Sequence, residues 1–275
     1  MNLRLLAVHA HPDDESSKGA ATLARYAEEG VDVLVATCTG GERGDVLNPA
    51  LDQPEVRQEL PAIRRREMAE AARILGVRQQ FLGHVDSGLS EPLPDGCFAR
   101  LTLRDAMQPL LELMQEFRPQ VVVTYDESGG YPHPDHIRTH EITRAAFDAV
   151  DNGEPRKLYY LATLSRAWFQ TMHDATIAAG QESRMGPVLE ELPPVDLLTV
   201  TTRIRCEQYF ATRDEALHAH GTQTNPAHPF FAHSRDIERT AWPWEDYHLA
   251  RTTVPNAPGT SGTPSLEDDL FAGLR

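Results

Sequence analysis

Two short segments of this 275-residue chain combine histidines with carboxylates at spacings that suit a metal site. The first segment is His11-Pro-Asp-Asp-Glu15, and the second is Tyr131-Pro-His-Pro-Asp-His136. One imidazole from each segment and one carboxylate would supply three ligands and leave a coordination position open for water. Such a ligand set is typical of catalytic rather than structural zinc. The two segments therefore predict a catalytic metal site.

Each segment also has a plainer interpretation. Asp13, Asp14 and Ser16 are common helix caps, and proline beside aspartate is common in turns. Either segment alone is a weak indication of function. Two such segments, each following a predicted parallel strand, favour the metal site.

The elements around these segments predict that they meet at one edge of a sheet. An apolar run, Leu3 to Val8, precedes the first segment, and a helical pattern and a second β-branched run, Val31 to Thr37, follow it. This order indicates a strand, a helix and a parallel strand. The run Val121 to Tyr125 precedes the second segment, and its continuous hydrophobicity suits a strand buried on both faces. Parallel strands would then present both segments at the ligand-binding carboxyl edge.

The rest of the chain continues the alternation and then becomes less regular. Helices are predicted at 55–75, 103–117 and 207–219, and a further one from about His136; Gly76 ends the first of them. Strands are predicted near 80–82, 158–161 and 197–204. We expect an α/β fold, a Rossmann-like mostly parallel sheet flanked by helices with a smaller C-terminal lobe, in one catalytic unit over 1–275. Residues 1–152 would form the metal-binding core, and residues 153–275 would complete the substrate cleft. The Pro, Thr, Ser and Gly content of Thr252 to Leu266 predicts a surface arm.

Composition limits the partners. The chain has 41 acidic and 26 basic side chains and a formal charge of -15, which would repel nucleic acid and anionic membranes. A small uncharged or cationic ligand fits better. Cys38, Cys97 and Cys206 form no CxxC pair, which suits a reducing cytoplasm. With no secretion signal or membrane-spanning run, we expect a soluble cytoplasmic protein, as a monomer or a homo-oligomer.

The motif AHPDDE together with GGYPHPDH about 120 residues later resembles the signature pair of the LmbE-like (PIG-L) deacetylase family. By motif position, the resemblance implies metal ligands at His11, Asp14 and His136 and a general base at Asp13. The implied cofactor is one Zn²⁺ per chain, although these ligand types also suit Fe²⁺.

The same motifs supply candidates for the remaining catalytic groups. A protonated His133 would stabilise the oxyanion of an amide hydrolysis, and Tyr131 would donate a further hydrogen bond to it. Asp135 would orient a neighbouring imidazole.

Further stretches, among them TGGERGDVLNPALDQPEV and ALHAHGTQ, resemble the family members that hydrolyse mycothiol S-conjugates, with residues 158–196 resembling them least. That resemblance implies cleavage of the amide joining glucosaminyl-inositol to an S-substituted N-acetylcysteine, in thiol detoxification. Lys18 follows the first motif as it does in those members, where it is thought to help hold the conjugate. The alternative within the family is deacetylation of N-acetylglucosaminyl-inositol, which uses the same metal motifs.

Other substrate contacts are expected by position in the family pattern. Arg64, Asp86 and, more weakly, Glu42 would bind the hydroxyls of the sugar and inositol. Arg64 would equally suit a solvated helix face with ordinary ion pairs, and Asp86 a turn. His220 and Gln223 of the HGTQ motif would lie near the mouth of the site, although a histidine there more often serves the helix terminus.

Two functions from other classes remain alternatives. A nucleotide-binding module would use the loop Gly40 to Gly44, but its glycines match neither GxGxxG nor a P-loop, and Glu42 and Asp45 would repel phosphate. A purely structural metal site would leave Asp13 without a role.

Overall fold

The computed structural model describes residues 2–151, 153–225, 233–255 and 266–275. Its strands are β1 (Arg4–His9), β2 (Asp32–Thr39), β3 (Arg78–His84), β4 (Val121–Thr124), β5 (Lys157–Leu161), β6 (Thr202–Arg205) and β7 (Trp244–Thr252). They form one seven-stranded sheet in the order β3-β2-β1-β4-β5-β7-β6.

The first five strands are parallel. Ala7 of β1 lies opposite both Val35 of β2 and Val123 of β4, and β3 and β5 extend this parallel part on either side. β7 runs antiparallel to β5, and β6 antiparallel to β7. The predicted mostly parallel α/β sheet is therefore confirmed, and the strands after residue 153 join the same sheet.

Helices cover both faces of the sheet. They are α1 (Asp14–Ser17), α2 (Ala20–Glu28), α3 (Pro54–Leu75), α4 (Leu103–Phe117), α5 (Pro134–Ala149), α6 (Arg166–Ala178), α7 (Gly186–Glu191), α8 (Phe210–Ala219) and α9 (Arg235–Ala241). Local sequence explains several of their ends. Pro54 opens α3, Gly76 ends it at a φ of 71°, and the Thr102 hydroxyl caps α4 by accepting from the Asp105 N–H.

The core has two layers, one on each face of the sheet. Leu5 and Ala7 of β1 pack with Tyr26 and Met68 on one face. Leu6 and Val8 belong to the other face, with residues of α4 and α5 such as Leu110 and Ile142. Side chains alternate between faces along a strand, and because both faces are covered, β1 is a continuous apolar run.

The C-terminal half departs most from the sequence-based expectations. The strand predicted over 197–204 is shorter, because β6 begins at Thr202. The strand β7 and the helices α6, α7 and α9 were not predicted. Most of the predicted surface arm, residues 256–265, lies outside the described residues.

The last residues return to the core. Glu267 is buried and binds the Lys157 ammonium at 2.7 Å and the Tyr159 hydroxyl at 2.6 Å. Leu270 and Phe271 are buried in the layer that contains Tyr26. Glu267, Leu270 and Phe271 are therefore part of the packed structure. Within the described ranges, no helix has both the length and the apolar character needed to cross a bilayer.

Candidate metal centre and active site

The two histidine-carboxylate segments meet at the carboxyl edge of the sheet. The first follows β1 and the second follows β4, and these strands are parallel neighbours. One donor atom each from His11, Asp14 and His136 lies within 4.8 Å of the others. The parallel pairing of β1 and β4 thus brings His11 and Asp14 together with His136, the third predicted ligand, from the second segment.

His136, in the first turn of α5, presents one nitrogen to this group. Its Nδ1 lies 3.0 Å from the Gly129 carbonyl, so Nδ1 carries the proton and the lone pair is on Nε2. Nε2 is buried, has no hydrogen-bond partner among the described residues, and lies 3.3 Å from Asp14 Oδ2. An orphaned imidazole nitrogen beside a carboxylate fits a metal ligand.

Gly129 is required for this arrangement. Its φ is 75°, and an added Cβ would lie 2.7 Å from His136 Cβ and 2.9 Å from the Tyr131 carbonyl oxygen. Only glycine adopts this conformation without strain and leaves room for the imidazole.

Asp135, which is expected to orient a neighbouring imidazole, contacts the His11 ring. His11 Nε2 lies 3.2 Å from Asp135 Oδ2, and the Asp135 carboxylate also accepts from the backbone N–H and hydroxyl of Ser87. His11 Nδ1 therefore faces Asp14 Oδ2, at 3.5 Å. Burial opposes protonation, but hydrogen bonds to Asp135 and Asp14 outweigh it and raise the pKa of His11 to about 10. Surroundings that stabilise an imidazolium also favour a metal cation.

Asp14 links both imidazoles. Its Oδ2 lies 3.5 Å from His11 Nδ1 and 3.3 Å from His136 Nε2, and it also accepts from the His11 backbone N–H at 3.0 Å. Its Oδ1 accepts from Lys18 Nζ at 2.9 Å. Although burial opposes it, His136 and Lys18 hold the pKa of Asp14 well below its usual range. The carboxylate is therefore ionised, as a ligand must be.

A second donor group overlaps the first. His11, Asp86 and His133 also place donor atoms within 4.8 Å of one another. The carboxylates of the two groups are equally engaged, since the oxygens of both Asp14 and Asp86 accept hydrogen bonds. The first group differs because His136 Nε2 is buried without a hydrogen-bond partner among the described residues. The group with His136 therefore fits a metal better.

Asp13 holds an unusual backbone conformation beside this centre. Its φ is 105°, and its N–H donates to Glu15 Oε2 at 2.9 Å. The carboxylate is 24% exposed and lies 3.7 Å from the Arg64 guanidinium. Burial raises the pKa of the Asp13 carboxyl, which Arg64 only partly offsets. A non-glycine residue with positive φ is costly and is often found at functional sites.

Glu15 supports the loop that carries Asp13, a role that the sequence analysis does not assign to it. This carboxylate is fully buried, accepts the Asp13 N–H, and lies 2.7 Å from His220 Nε2. Although burial opposes it, Glu15 raises the pKa of His220. His220 thus lies within the structure that supports Asp13, rather than at a solvent-exposed helix end. The only sequence signal was the position of Glu15 within the first motif.

Arg64 is not on a solvated helix face, which was the alternative interpretation. It is 3% exposed, and its guanidinium donates to the carbonyls of Pro12 at 2.6 Å and Gly41 at 3.0 Å. It therefore ties the loop after β1 to the loop after β2. A Cβ on Gly41 would lie 2.2 Å from Arg64 Nη1, so glycine is needed there.

Asp86 and Glu42 lie together on the β2 and β3 side of the centre. Asp86 is buried, and its Oδ1 accepts from the Gly88 N–H at 2.8 Å, which is the turn that the sequence left as an alternative. The same oxygen lies 3.7 Å from His11 Nε2. Glu42 Oε2 accepts from the Asp86 N–H at 3.2 Å. Both carboxylates are near the centre and also support the loops.

His133 and Tyr131 flank the centre on the β4 side. The His133 ring lies 4.7 Å from the His11 ring, and the Tyr131 ring 4.4 Å from the His136 ring. Burial and the nearby His11 lower the pKa of His133 to about 4. Because Nδ1 accepts the Asp135 N–H, the proton of the neutral ring lies on Nε2. His133 can therefore donate a hydrogen bond from Nε2, and the imidazolium expected from the family resemblance stays a prediction.

Two predicted substrate contacts are engaged within the protein. Lys18 pairs with Asp14 and lies 5.8 Å over the Tyr131 ring, at the edge of the centre. Gln223 Nε2 donates to the Asp45 carbonyl at 3.0 Å, which joins the HGTQ segment to the loop after β2.

The fold and the site together define an α/β protein with a candidate metal centre and an adjacent carboxylate at the carboxyl edge of its sheet. The family model described as GlcNAc-PI de-N-acetylase, PIG-L, matches residues 6–147. The chain belongs to this family of metal-dependent enzymes, the LmbE-like hydrolases that act on amides.

Relatives cover the whole chain. The mycothiol S-conjugate amidase of Streptomyces coelicolor is 46% identical, over 99% of this chain and 98% of that protein. The 1D-myo-inositol 2-acetamido-2-deoxy-alpha-D-glucopyranoside deacetylase of Thermobispora bispora is 39% identical, over 98% of each. The solved structure of N,N'-diacetylchitobiose deacetylase from Pyrococcus horikoshii matches with a TM-score of 0.60 at 18% identity, over 90% of this chain and 83% of that chain. That likeness supports the fold.

Proposed function

We propose that this chain is a zinc-dependent amidase that hydrolyses mycothiol S-conjugates to an N-acetylcysteine S-conjugate, a mercapturate, and glucosaminyl-inositol. The observation that carries the proposal is a group of His11, Asp14 and His136 donors with the partly exposed carboxylate of Asp13 next to it. A metal and a neighbouring base are the two requirements for activating water toward an amide.

Zinc is the metal we favour. Two imidazoles and a carboxylate match the ligand sets of catalytic zinc, and Asp135 on His11 and the Gly129 carbonyl on His136 orient the rings as such sites require. When bound, the metal would acidify a water molecule and polarise the amide carbonyl. Fe²⁺ would accept the same ligands.

Asp13 is the proposed general base. Its carboxylate would take a proton from the attacking water and return one to the departing amine. The raised pKa of Asp13, caused mainly by burial, suits a group that must hold that proton between the two steps. Arg64 and Glu15 would keep the Asp13 loop in place.

His133 and Tyr131 would act on the carbonyl oxygen. The Nε2–H of His133 and the Tyr131 hydroxyl are donors on the same side of the centre. Hydrogen bonds to an oxygen that becomes negative stabilise the transition state more than the substrate.

The choice of a mycothiol conjugate rests on similarity and on position. The amidase of S. coelicolor is 46% identical to this chain, whereas the deacetylase of T. bispora is 39% identical. Asp86, Glu42 and Arg64 supply carboxylates and a guanidinium on one side of the centre, as a polyol ligand needs. Lys18 would contact the conjugate near Tyr131, and His220 and Gln223 would shape the mouth of the site. We place this activity in cytoplasmic thiol detoxification.

The test is parallel turnover of a fluorescent mycothiol S-conjugate and of N-acetylglucosaminyl-inositol by the zinc-loaded protein. Asp13→Asn is the control, because asparagine tolerates the left-handed conformation of residue 13 and removes only the base. Preference for the conjugate, lost in the variant, would support the proposal. Preference for the acetylated sugar would instead assign the deacetylase reaction, and activity on neither would refute both.

A further inference from the structure

An apolar groove lies beside the metal centre on the side of β5, β7 and β6. It encloses a cavity of about 190 Å³ and includes Leu161, Leu164, Leu192, Val195, Leu197 and Trp242 in its walls. Val195 and Leu197 are 70% and 71% exposed. Large apolar side chains grouped around a concave and exposed surface indicate a binding site.

The groove adjoins the metal centre through the loop after β4. Asp126, Ser128 and Gly130 of the loop after β4 form part of its wall. The same loop supplies the Gly129 carbonyl that orients His136, and Gly130 directly precedes Tyr131. A ligand whose amide lies at the metal can therefore extend along this loop into the groove.

Charged groups in the groove wall are already engaged. Asp196 accepts from the N–H groups of Arg166 and Ala167, and Asp126 accepts from Ser128 Oγ and the Gly130 N–H. The Arg166 guanidinium donates to the Leu189 carbonyl at 2.7 Å.

The other two charged side chains of the groove wall, Arg203 and Asp246, form an ion pair, with Arg203 Nε 2.9 Å from Asp246 Oδ1. Arg203 Nε and the Asp246 oxygens are buried and make no hydrogen bond within the described part of the chain, so this pair is an ion contact beneath the wall, whereas the exposed part of the wall includes Val195 and Leu197. The groove therefore offers mainly apolar contact to a ligand.

The opposite side of the centre is polar. Glu42 follows β2 and Asp86 follows β3, whereas the metal donors follow β1 and β4. The sheet order β3-β2-β1-β4-β5-β7-β6 therefore places the metal centre between a polar site and the apolar groove.

We propose that this groove binds the variable apolar S-substituent of the substrate, and so sets which conjugates are preferred. The inference rests on the proposed function and adds an orientation to it. The sugar and inositol lie toward β2 and β3, the scissile amide lies at the metal, and the sulfur substituent extends toward β5 and β6.

The first test measures the ratio of kcat/KM for an S-benzyl conjugate to that for an S-methyl conjugate. Leu197→Asp places a charge in the groove at an exposed position, where the fold tolerates it. Ile177→Asp is the matched control, because Ile177 is 54% exposed on α6 and does not line the groove. We expect the ratio to fall about 10-fold in Leu197→Asp, since a benzyl group gains that much from apolar burial, and to stay unchanged in Ile177→Asp.

An equal ratio in Leu197→Asp and the natural protein would overturn the proposal. A second measurement separates this failure from failure of the proposed function. Calorimetric binding of S-benzyl-N-acetylcysteine, compared with S-methyl-N-acetylcysteine, requires no turnover. Tighter binding of the benzyl compound, lost in Leu197→Asp, would support the groove even for a chain that only deacetylates. Equal binding of the two compounds would overturn the groove even if conjugates are hydrolysed.

Discussion

Replacing Glu15 tests whether its hydrogen bond to the Asp13 backbone supports catalysis. Glu15→Met removes the acceptor of the Asp13 N–H while keeping an unbranched side chain of similar length in a fully buried position. Glu15→Gln removes the charge but keeps one oxygen that can accept the same N–H. The two variants therefore separate the hydrogen bonds of residue 15, to the Asp13 N–H and to His220, from its carboxylate charge.

The expected magnitude follows from the backbone of Asp13. A buried N–H left without an acceptor costs about 1–3 kcal/mol, and the φ of 105° at Asp13 is itself a strained conformation that this bond stabilises. If that free energy disfavours the active position of the carboxylate, kcat falls by about 5- to 150-fold in Glu15→Met. Glu15→Gln loses far less, because its oxygen can still accept from Asp13.

The assay is steady-state turnover of the preferred substrate, with metal content measured on the same samples. KM changes little, because Asp13 acts on the attacking water rather than on the bound substrate. Metal content is also unchanged, since Glu15 is not in the donor group. An equal fall in kcat in both variants would refute the role of the backbone hydrogen bond and would assign the effect to the carboxylate charge. Loss of bound metal from Glu15→Met would show that Glu15 supports the metal centre as a whole.

Two further predictions concern stability. Burial, against the effect of Arg203, raises the pKa of Asp246 to about 6, so this group stabilises the fold when protonated and loses that contribution as pH rises through about 6. The unfolding free energy of the natural protein should therefore fall by about 1 kcal/mol more than that of Asp246→Asn when the pH rises from about 5 to about 7.5. Denaturant titrations measure this, and an equal fall in the two proteins would contradict the prediction. Glu267→Ala leaves the fully buried Lys157 ammonium without its carboxylate and should lower the unfolding free energy by about 3–5 kcal/mol. The double variant Lys157→Met with Glu267→Leu should recover much of that loss, and no recovery would mean that the ion pair is not its source.

Local patterns were sufficient to predict the parallel half of the fold. The runs at β1 and β4 are continuously apolar because helices cover both faces, and the polar residues after them had to emerge at one edge. The same pattern predicts that the two histidine-carboxylate segments meet, whereas the choice of His11, Asp14 and His136 as ligands rests on the motif resemblance.

The antiparallel part could not be predicted, because its buried residues include charged ones. β7 contains Glu245 and Asp246, both buried, and the Glu245 carboxylate accepts from the Thr22 N–H on α2. Likewise, Glu15 is explained by His220, which lies 205 residues later in the chain. Partners this distant leave no periodic signal in the sequence.

Metal binding by His136→Asn and His133→Asn tests the central claim most directly, because each belongs to only one of the two overlapping donor groups. The measurement is bound metal per chain, followed by the absorption of Co²⁺ in place of zinc. We predict one ion per chain in the natural protein, loss of tight binding in His136→Asn, and retention in His133→Asn. Retention in His136→Asn with loss in His133→Asn would contradict the assignment and move the centre to His11, Asp86 and His133.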